Sequence, residues 1–207
     1  MPLSSHRPIL YAITSGATKS NTTPHDDEFN RILYLAEAAV AAQLSLVQIR
    51  EKTLSARVLF ELVTRATKVT RGSSTRLLVN DRFDIALAAG ADGVHLTSTS
   101  LPVRVVRAVC GPEFLVGAST HSLETARDAR DNGADFVVFG PVFETASKRE
   151  YGPPQGLSKL HAVAGELQGF PVVAIGGVAL DNAESCFAAG ASGIAGISLF
   201  DAFNPAR

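Results

Sequence analysis

A chain of 207 residues with a hydrophobic fraction of 46% carries enough apolar material for one substantial core, which suits a single α/β domain over 1–207 better than two small ones. Its 19 basic and 20 acidic residues leave a formal net charge of -1, so charge points to neither nucleic acid nor an anionic membrane, and small molecules remain as partners. Cys110 and Cys186 stand apart without C-x-x-C spacing, the N-terminal M-P-L-S-S-H-R-P has no apolar signal core, and no run approaches the roughly 20 apolar residues of a membrane span; a cytoplasmic protein with reduced thiols is expected.

Ile9 to Thr14 predict a first strand, and a polar loop rich in Ser, Thr, Asn, Gly and Pro follows to about Asp26. Residues 15–26 read equally as a mobile lid or a surface loop, and Asp26 is an N-cap candidate for the helix carrying Phe29, Ile32, Leu33, Leu35 and Ala36. Leu46, Val47 and Ile49 predict a buried strand that ends in a cluster of Gln48, Arg50, Glu51 and Lys52. In parallel α/β architectures ligands lie at the carboxyl ends of strands, so this change of character marks a functional rim. Val58, Leu59, Leu62, Val63 and Ala66 follow at helical spacing; Leu77, Leu78 and Val79 then make a strand ending on Asn80 and Asp81, and a short helix closes at Gly90.

A repeated phrase organises the second half: A-G-A-D-G-V-H-L at 89–96, N-G-A-D-F-V-V-F at 132–139 and A-G-A-S-G-I-A-G at 189–196. Each reads as a helix-terminating glycine, a small-residue turn and a buried strand. Repeated helix-to-strand junctions imply β-α units with right-handed crossovers, and strand starts near Ile9, Leu46, Leu77, Gly93, Leu115, Phe136, Val172 and Gly193 predict a single-domain (β/α)₈ TIM barrel. No G-x-G-x-x-G follows the first strand to suggest a dinucleotide, and the last helix, about 199–204, is expected to be truncated.

The predicted rim collects Gln48, Arg50 and Lys52, Asn80 and Asp81, His95, Ser119 and His121, the loop after Phe139, Gly176 and Gly177, and Ser198. Gly-Gly after V-V-A-I allows backbone N–H groups close to a ligand, and the loops after the seventh and eighth strands of such barrels commonly hold phosphate. E-T-A-S-K-R at 144–149 adds hydroxyls and cations suited to a phosphate or diphosphate.

The set Y-A-I-T, V-Q-I-R-E-K, L-V-N-D-R, A-D-G-V-H-L, G-A-S-T-H-S, G-P-V-F-E-T-A-S-K, A-I-G-G-V and G-I-A-G-I-S, spread over Tyr11 to Ser198, resembles the thiamine phosphate synthase and thiazole tautomerase superfamily. The resemblance implies a TIM barrel acting in thiamine biosynthesis on a hydroxyethylthiazole phosphate. For a synthase, which joins a pyrimidine methyl diphosphate to the thiazole phosphate and expels pyrophosphate with magnesium, it implies pyrimidine and diphosphate contacts at Gln48, Arg50, Lys52, Asn80, Ser119, Thr145, Ser147 and Lys148. Asp81 matches one magnesium carboxylate. The second falls on Ser100, the usual Gly-Gln falls on Thr97 and Ser98, and Ser15 replaces an aspartate common after the first strand.

A hydroxyl brings no charge to magnesium, so these departures favour the metal-independent tautomerase branch. There His121 is the expected proton shuttle, Arg50 or Lys52 orients the substrate carboxylate, and Gly177 with the strand-eight backbone holds the phosphate. The alternative is a magnesium-dependent synthase; a third reading is a non-catalytic sensor of thiamine metabolites. Phosphorylated thiazole, with pyrimidine diphosphate for a synthase, is the expected partner, and a homo-oligomer is compatible with the sequence.

Overall fold

The computed structural model describes residues 7–145 and 153–199. Strands β1 (Ile9–Ile13), β2 (Leu46–Ile49), β3 (Arg76–Asn80), β4 (Gly93–Leu96), β5 (Leu115–Thr120), β6 (Phe136–Phe139), β7 (Val172–Ile175) and β8 (Gly193–Gly196) pair in chain order, all parallel, and β8 returns to β1. The barrel is therefore closed, with Tyr11 opposite Leu46 on one side and Ala195 on the other. Among the described residues the covering helices are α1 (Asp27–Ala41), α2 (Ala56–Thr70), α3 (Phe83–Ala89), α4 (Val103–Cys110), α5 (Leu123–Asp131), α6 (Gly156–Glu166) and α7 (Ala183–Ala188). The truncated helix expected at 199–204 falls, beyond Leu199, outside the described residues. β3 opens one residue earlier than its apolar run suggests, at Arg76, whose guanidinium donates to Asp92 at 2.8 Å.

The strand period of two separates two cores. Outward side chains such as Val47, Ile49, Leu77, Val79, Val94, Val116 and Val137 pack beneath the helices with Phe29, Leu62 and Leu160. Inward ones, Ile9, Tyr11, Ile13, Leu46, Leu78, Leu115, Phe136, Val138, Val173 and Ala195, fill the barrel itself. Large and small residues interdigitate there: a Cβ at Gly117 would strike the Phe136 ring, so the glycine makes room for the aromatic.

The repeated phrase has a structural task at four junctions. Leu44, Ala91, Ala134 and Ala191 each return a backbone N–H to a carbonyl five residues back, closing the preceding helix. The next residue, Ser45, Asp92, Asp135 or Ser192, accepts the backbone N–H of Leu10, Leu77, Val116 or Val172 respectively. Each even strand is thus stitched at its start to the odd strand before it. The first junction lacks the glycine that made the others visible in the sequence; Gln43 takes the left-handed conformation instead, at φ 53°.

Asp26 does precede α1, but its carboxylate turns back to the Thr23 N–H at 2.7 Å and hydroxyl at 3.0 Å and caps no helix N–H.

Candidate active site

At the carboxyl end of the barrel the last inward positions of β2 to β5 are polar, whereas those of β1, β6 and β7, at Ile13, Val138 and Ile175, stay apolar. Gln48, Asn80, His95 and Ser119 occupy these positions on β2, β3, β4 and β5, directly above Leu46, Leu78, Gly93 and Gly117. Tyr11 Oη donates to Gln48 Oε1 at 2.9 Å, and Gln48 Nε2 donates to Asn80 Oδ1 at 3.0 Å. His95 Nε2 lies 2.8 Å from Ser119 Oγ, and the Tyr11 ring meets the His95 and Phe136 rings edge-on, each at 5.8 Å between centroids. Burial holds His95 down at about pKa 4 and pushes Tyr11 well above its usual value, so both are neutral at pH 7. Tyr11 and His95 belong to this floor; His95 is among the residues that the sequence places at the rim, whereas Tyr11 is not, and the alternation of β1 is the signal for it.

The next residues form the rim. Asp81 is exposed and left-handed, at φ 64°, an unusual conformation for a non-glycine that turns the chain sharply after Asn80. Arg50, half-buried, and Lys52, exposed, leave the neighbouring strand β2, and neither forms an ion pair within the described residues.

Glu51, between them, is turned inward and buried. Its carboxylate accepts from the Thr14 hydroxyl (2.5 Å), the Gly16 N–H (3.1 Å), and the Thr18 N–H (3.2 Å) and hydroxyl (2.7 Å). The strand-end charge cluster therefore contains a structural anchor, and the start of the 15–26 loop is fastened to it beside Arg50.

Ser15 begins that loop as an exposed residue. Thr97 to Ser100 form a self-contained turn in which Ser100 Oγ accepts the Thr97 N–H at 2.8 Å and lies 3.1 Å from Thr97 Oγ1; Ser98, also in that turn, is exposed. Ser100 is thus engaged in holding its own turn. Among the described residues no three His, Cys, Asp or Glu side chains gather as a metal cluster. Magnesium is commonly held by one or two carboxylates with water and substrate phosphates, and the exposed Asp81 fits that mode with a diphosphate supplying the other charge.

The β7–α7 turn closes the opposite side. Gly176 and Gly177 have φ of 91° and 66°, and a Cβ on Gly177 would sit 2.5 Å from the Glu144 carbonyl and 2.7 Å from Phe143 Cβ. The double glycine is demanded by contact with the β6–α6 loop as well as by its turn. The Gly177 and Ser198 N–H groups have no acceptor among the described residues, leaving two donors near each other's strand ends on the paired strands β7 and β8. Thr145 is the last described residue of the β6 loop; Ser147 and Lys148 lie outside the described residues.

His121 follows β5 and is exposed, with Nδ1 2.5 Å from the Gly140 carbonyl oxygen. Together with Phe139, Gln155, Lys159 and Val163 it lines a groove of about 260 Å³ reached between α5 and α6.

A family model described as thiamine monophosphate synthase matches residues 18–200. A Geobacter sulfurreducens protein named putative thiamine-phosphate synthase is 45% identical over 177 residues, 86% of this chain and 83% of its own. An Aquifex aeolicus protein named putative thiamine-phosphate synthase 2 is 42% identical over 193 residues, 93% of this chain and 97% of its own. The solved structure of thiamine phosphate pyrophosphorylase from Pyrococcus furiosus matches with a TM-score of 0.78 at 31% identity, covering 97% of this chain and 94% of that one. With its motifs in register on the closed barrel, the chain belongs to the thiamine monophosphate synthase family.

Proposed function

We propose that the protein is a thiamine-phosphate synthase, joining a hydroxymethylpyrimidine diphosphate to hydroxyethylthiazole phosphate. The names of its relatives favour this transferase over the tautomerase that the acid-poor Thr97–Ser100 segment suggested. The observation that carries the reading is the rim: Arg50 and Lys52 stand on the strand end next to Asp81, and none of the three is neutralised by an ion pair within the described residues. Two cations with no ion pair among the described residues suit a diphosphate leaving group, and a carboxylate likewise without one suits the magnesium that accompanies it.

In this reading the pyrimidine lies on the floor of Gln48, Asn80 and Ser119. Arg50 and Lys52, with Thr145, Ser147 and Lys148, receive the diphosphate, while the N–H groups of Gly177 and Ser198 hold the thiazole phosphate. Gly176 shapes that turn. Asp81 would hold magnesium, which when bound would neutralise charge on the diphosphate. The bond from the pyrimidine methylene carbon to the diphosphate oxygen breaks, and the oxygen keeps the electron pair. The thiazole nitrogen donates its lone pair to that carbon, so no proton transfer is needed and His121 is not a catalytic residue. Its ring, tied to Gly140, orders the β5 and β6 ends instead.

The test is an assay of the purified chain with both substrates and magnesium. Thiamine phosphate and pyrophosphate are expected in equal amounts. Metal-independent aromatisation of a thiazole carboxylate phosphate without coupling would overturn the reading and restore the tautomerase.

A further inference from the structure

Beneath the floor, the hydrogen bonds have a direction. Tyr11 is fully buried, and among the described residues its hydroxyl meets one partner, Gln48 Oε1. Were the Gln48 amide turned over, its NH₂ would donate to Tyr11 Oη, and the phenol proton would be left buried without an acceptor. The observed sense avoids that cost. It forces Gln48 Nε2 to donate to Asn80 Oδ1, which occupies the Asn80 carbonyl and leaves its Nδ2 donors without a described partner, at the pocket floor. The neutral His95 has one ring proton to place. Nδ1 is buried and has no partner among the described residues, and Nε2 faces Ser119 Oγ. A proton on Nδ1 would be an orphaned buried donor, which is the rarer kind of unmatched group, so it sits on Nε2 and is donated to Ser119. The Ser119 hydroxyl then accepts from below and keeps its own hydrogen to donate upward.

We propose that Tyr11 and His95 are positioning residues that fix the hydrogen-bonding sense of Asn80 and Ser119, so that the floor presents donors and selects a heteroaromatic ring bearing acceptor nitrogens. The inference rests on the proposed function in one respect, that the pyrimidine lies on this floor. It adds the reason for ring selectivity: an aminopyrimidine offers two acceptor nitrogens in its ring, and a ring with carbon at either place leaves a buried donor unmatched. Neither relay residue touches the substrate. Each acts through one intermediary or one bond.

The test reads binding separately from turnover. Dissociation constants are measured for the hydroxymethylpyrimidine diphosphate and for two analogues in which one ring nitrogen is replaced by CH, on the wild type, Tyr11→Phe, His95→Leu and His95→Gln. In the wild type each replacement is expected to weaken binding by about 10-fold or more. Tyr11→Phe frees the Gln48 amide to turn, and discrimination at one nitrogen should fall to within about 3-fold, with KM for the pyrimidine raised and kcat nearly kept. His95→Leu should lose discrimination at the other nitrogen, and His95→Gln, which can again donate to Ser119, should restore part of it. A merely structural role would lower thermal midpoints without changing the ratio between ligands. Full wild-type discrimination in both Tyr11→Phe and His95→Leu would overturn the relay while leaving the proposed function intact. Binding with discrimination but without coupling would overturn the proposed function and leave the relay standing; a wild type that binds none of the pyrimidines removes both.

Discussion

The Glu51 carboxylate takes both the backbone N–H and the hydroxyl of Thr18, at 3.2 and 2.7 Å, although neither partner carries a charge to balance it. Its other oxygen holds Thr14 and Gly16. Each hydrogen bond to a charged group contributes about 1.5–3 kcal/mol, and removing the acceptor leaves buried donors unmatched. Glu51→Ala is therefore expected to lower the unfolding free energy by about 2–4 kcal/mol and to release the loop beside Arg50. Urea unfolding with limited proteolysis of residues 15–26 checks this; an unchanged midpoint and unchanged cleavage would show that the loop is held by other contacts.

Asp81 combines a backbone cost with a charge. A non-glycine residue at φ 64° is strained by about 1 kcal/mol, less for Asp than for most, so Asp81→Gly should be neutral or stabilising by up to about that amount. Under the proposed function the same variant should lose coupling by about 100-fold or more, because no carboxylate remains for magnesium. Asp81→Asn keeps the conformation and should lose activity equally. Activity retained in both, with full magnesium dependence, would place the metal elsewhere. Ser100→Asp should leave coupling unchanged or raise it, since the added carboxylate joins the same rim.

Gly177→Ala tests the tight approach of the β6 and β7 loops. Its methyl group would meet the Glu144 carbonyl at 2.5 Å in a left-handed backbone, and both effects are unfavourable. A loss of about 1–3 kcal/mol in stability is expected, with a larger proportional rise in KM for the thiazole phosphate than for the pyrimidine substrate. Equal rises in both would argue that the turn supports the whole rim and not one subsite.

His95 predicts an acid weakness. Its folded-state pKa of about 4 lies below the ordinary 6.5 of the unfolded chain, so the unfolded state takes up a proton first as pH falls. Stability from this group is complete above pH about 6.5, declines as pH drops through the interval to about 4, and is then exhausted. The contribution is on the order of 3 kcal/mol. Urea midpoints between pH 7 and 4 should fall for the wild type and fall less for His95→Gln; parallel curves would show that other groups dominate.

The architecture was legible because barrel strands and helices announce themselves locally. β2, β4, β5, β6, β7 and β8 begin where apolar runs begin, and the Gly-containing junctions before β4, β6 and β8 repeat because a left-handed helix end followed by a short buried strand has few sequence solutions. The junction before β2 carries no glycine signal because Gln43 performs the glycine's part, and Asp26 does not cap α1 because a carboxylate before a helix can as readily turn back to its own loop. Of the site, Gln48, Asn80, Asp81, Ser119, Gly176 and Gly177 were legible as strand-end residues of unusual type.

The sequence by itself determined which residues reach the carboxyl rim, because alternation along a strand and the end of an apolar run are properties of neighbours in the chain. Only the tertiary structure decided what those residues do to one another. Glu51 looked like part of a catalytic charge cluster, yet it is an anchor for Thr14 and Thr18, residues more than thirty positions away. Tyr11 looked like strand filling, and barrel closure places its hydroxyl on Gln48, from where it governs Asn80. Hydrogen-bond sense is a property of the closed set of partners, and that set exists only once eight strands from the whole chain have met around one axis.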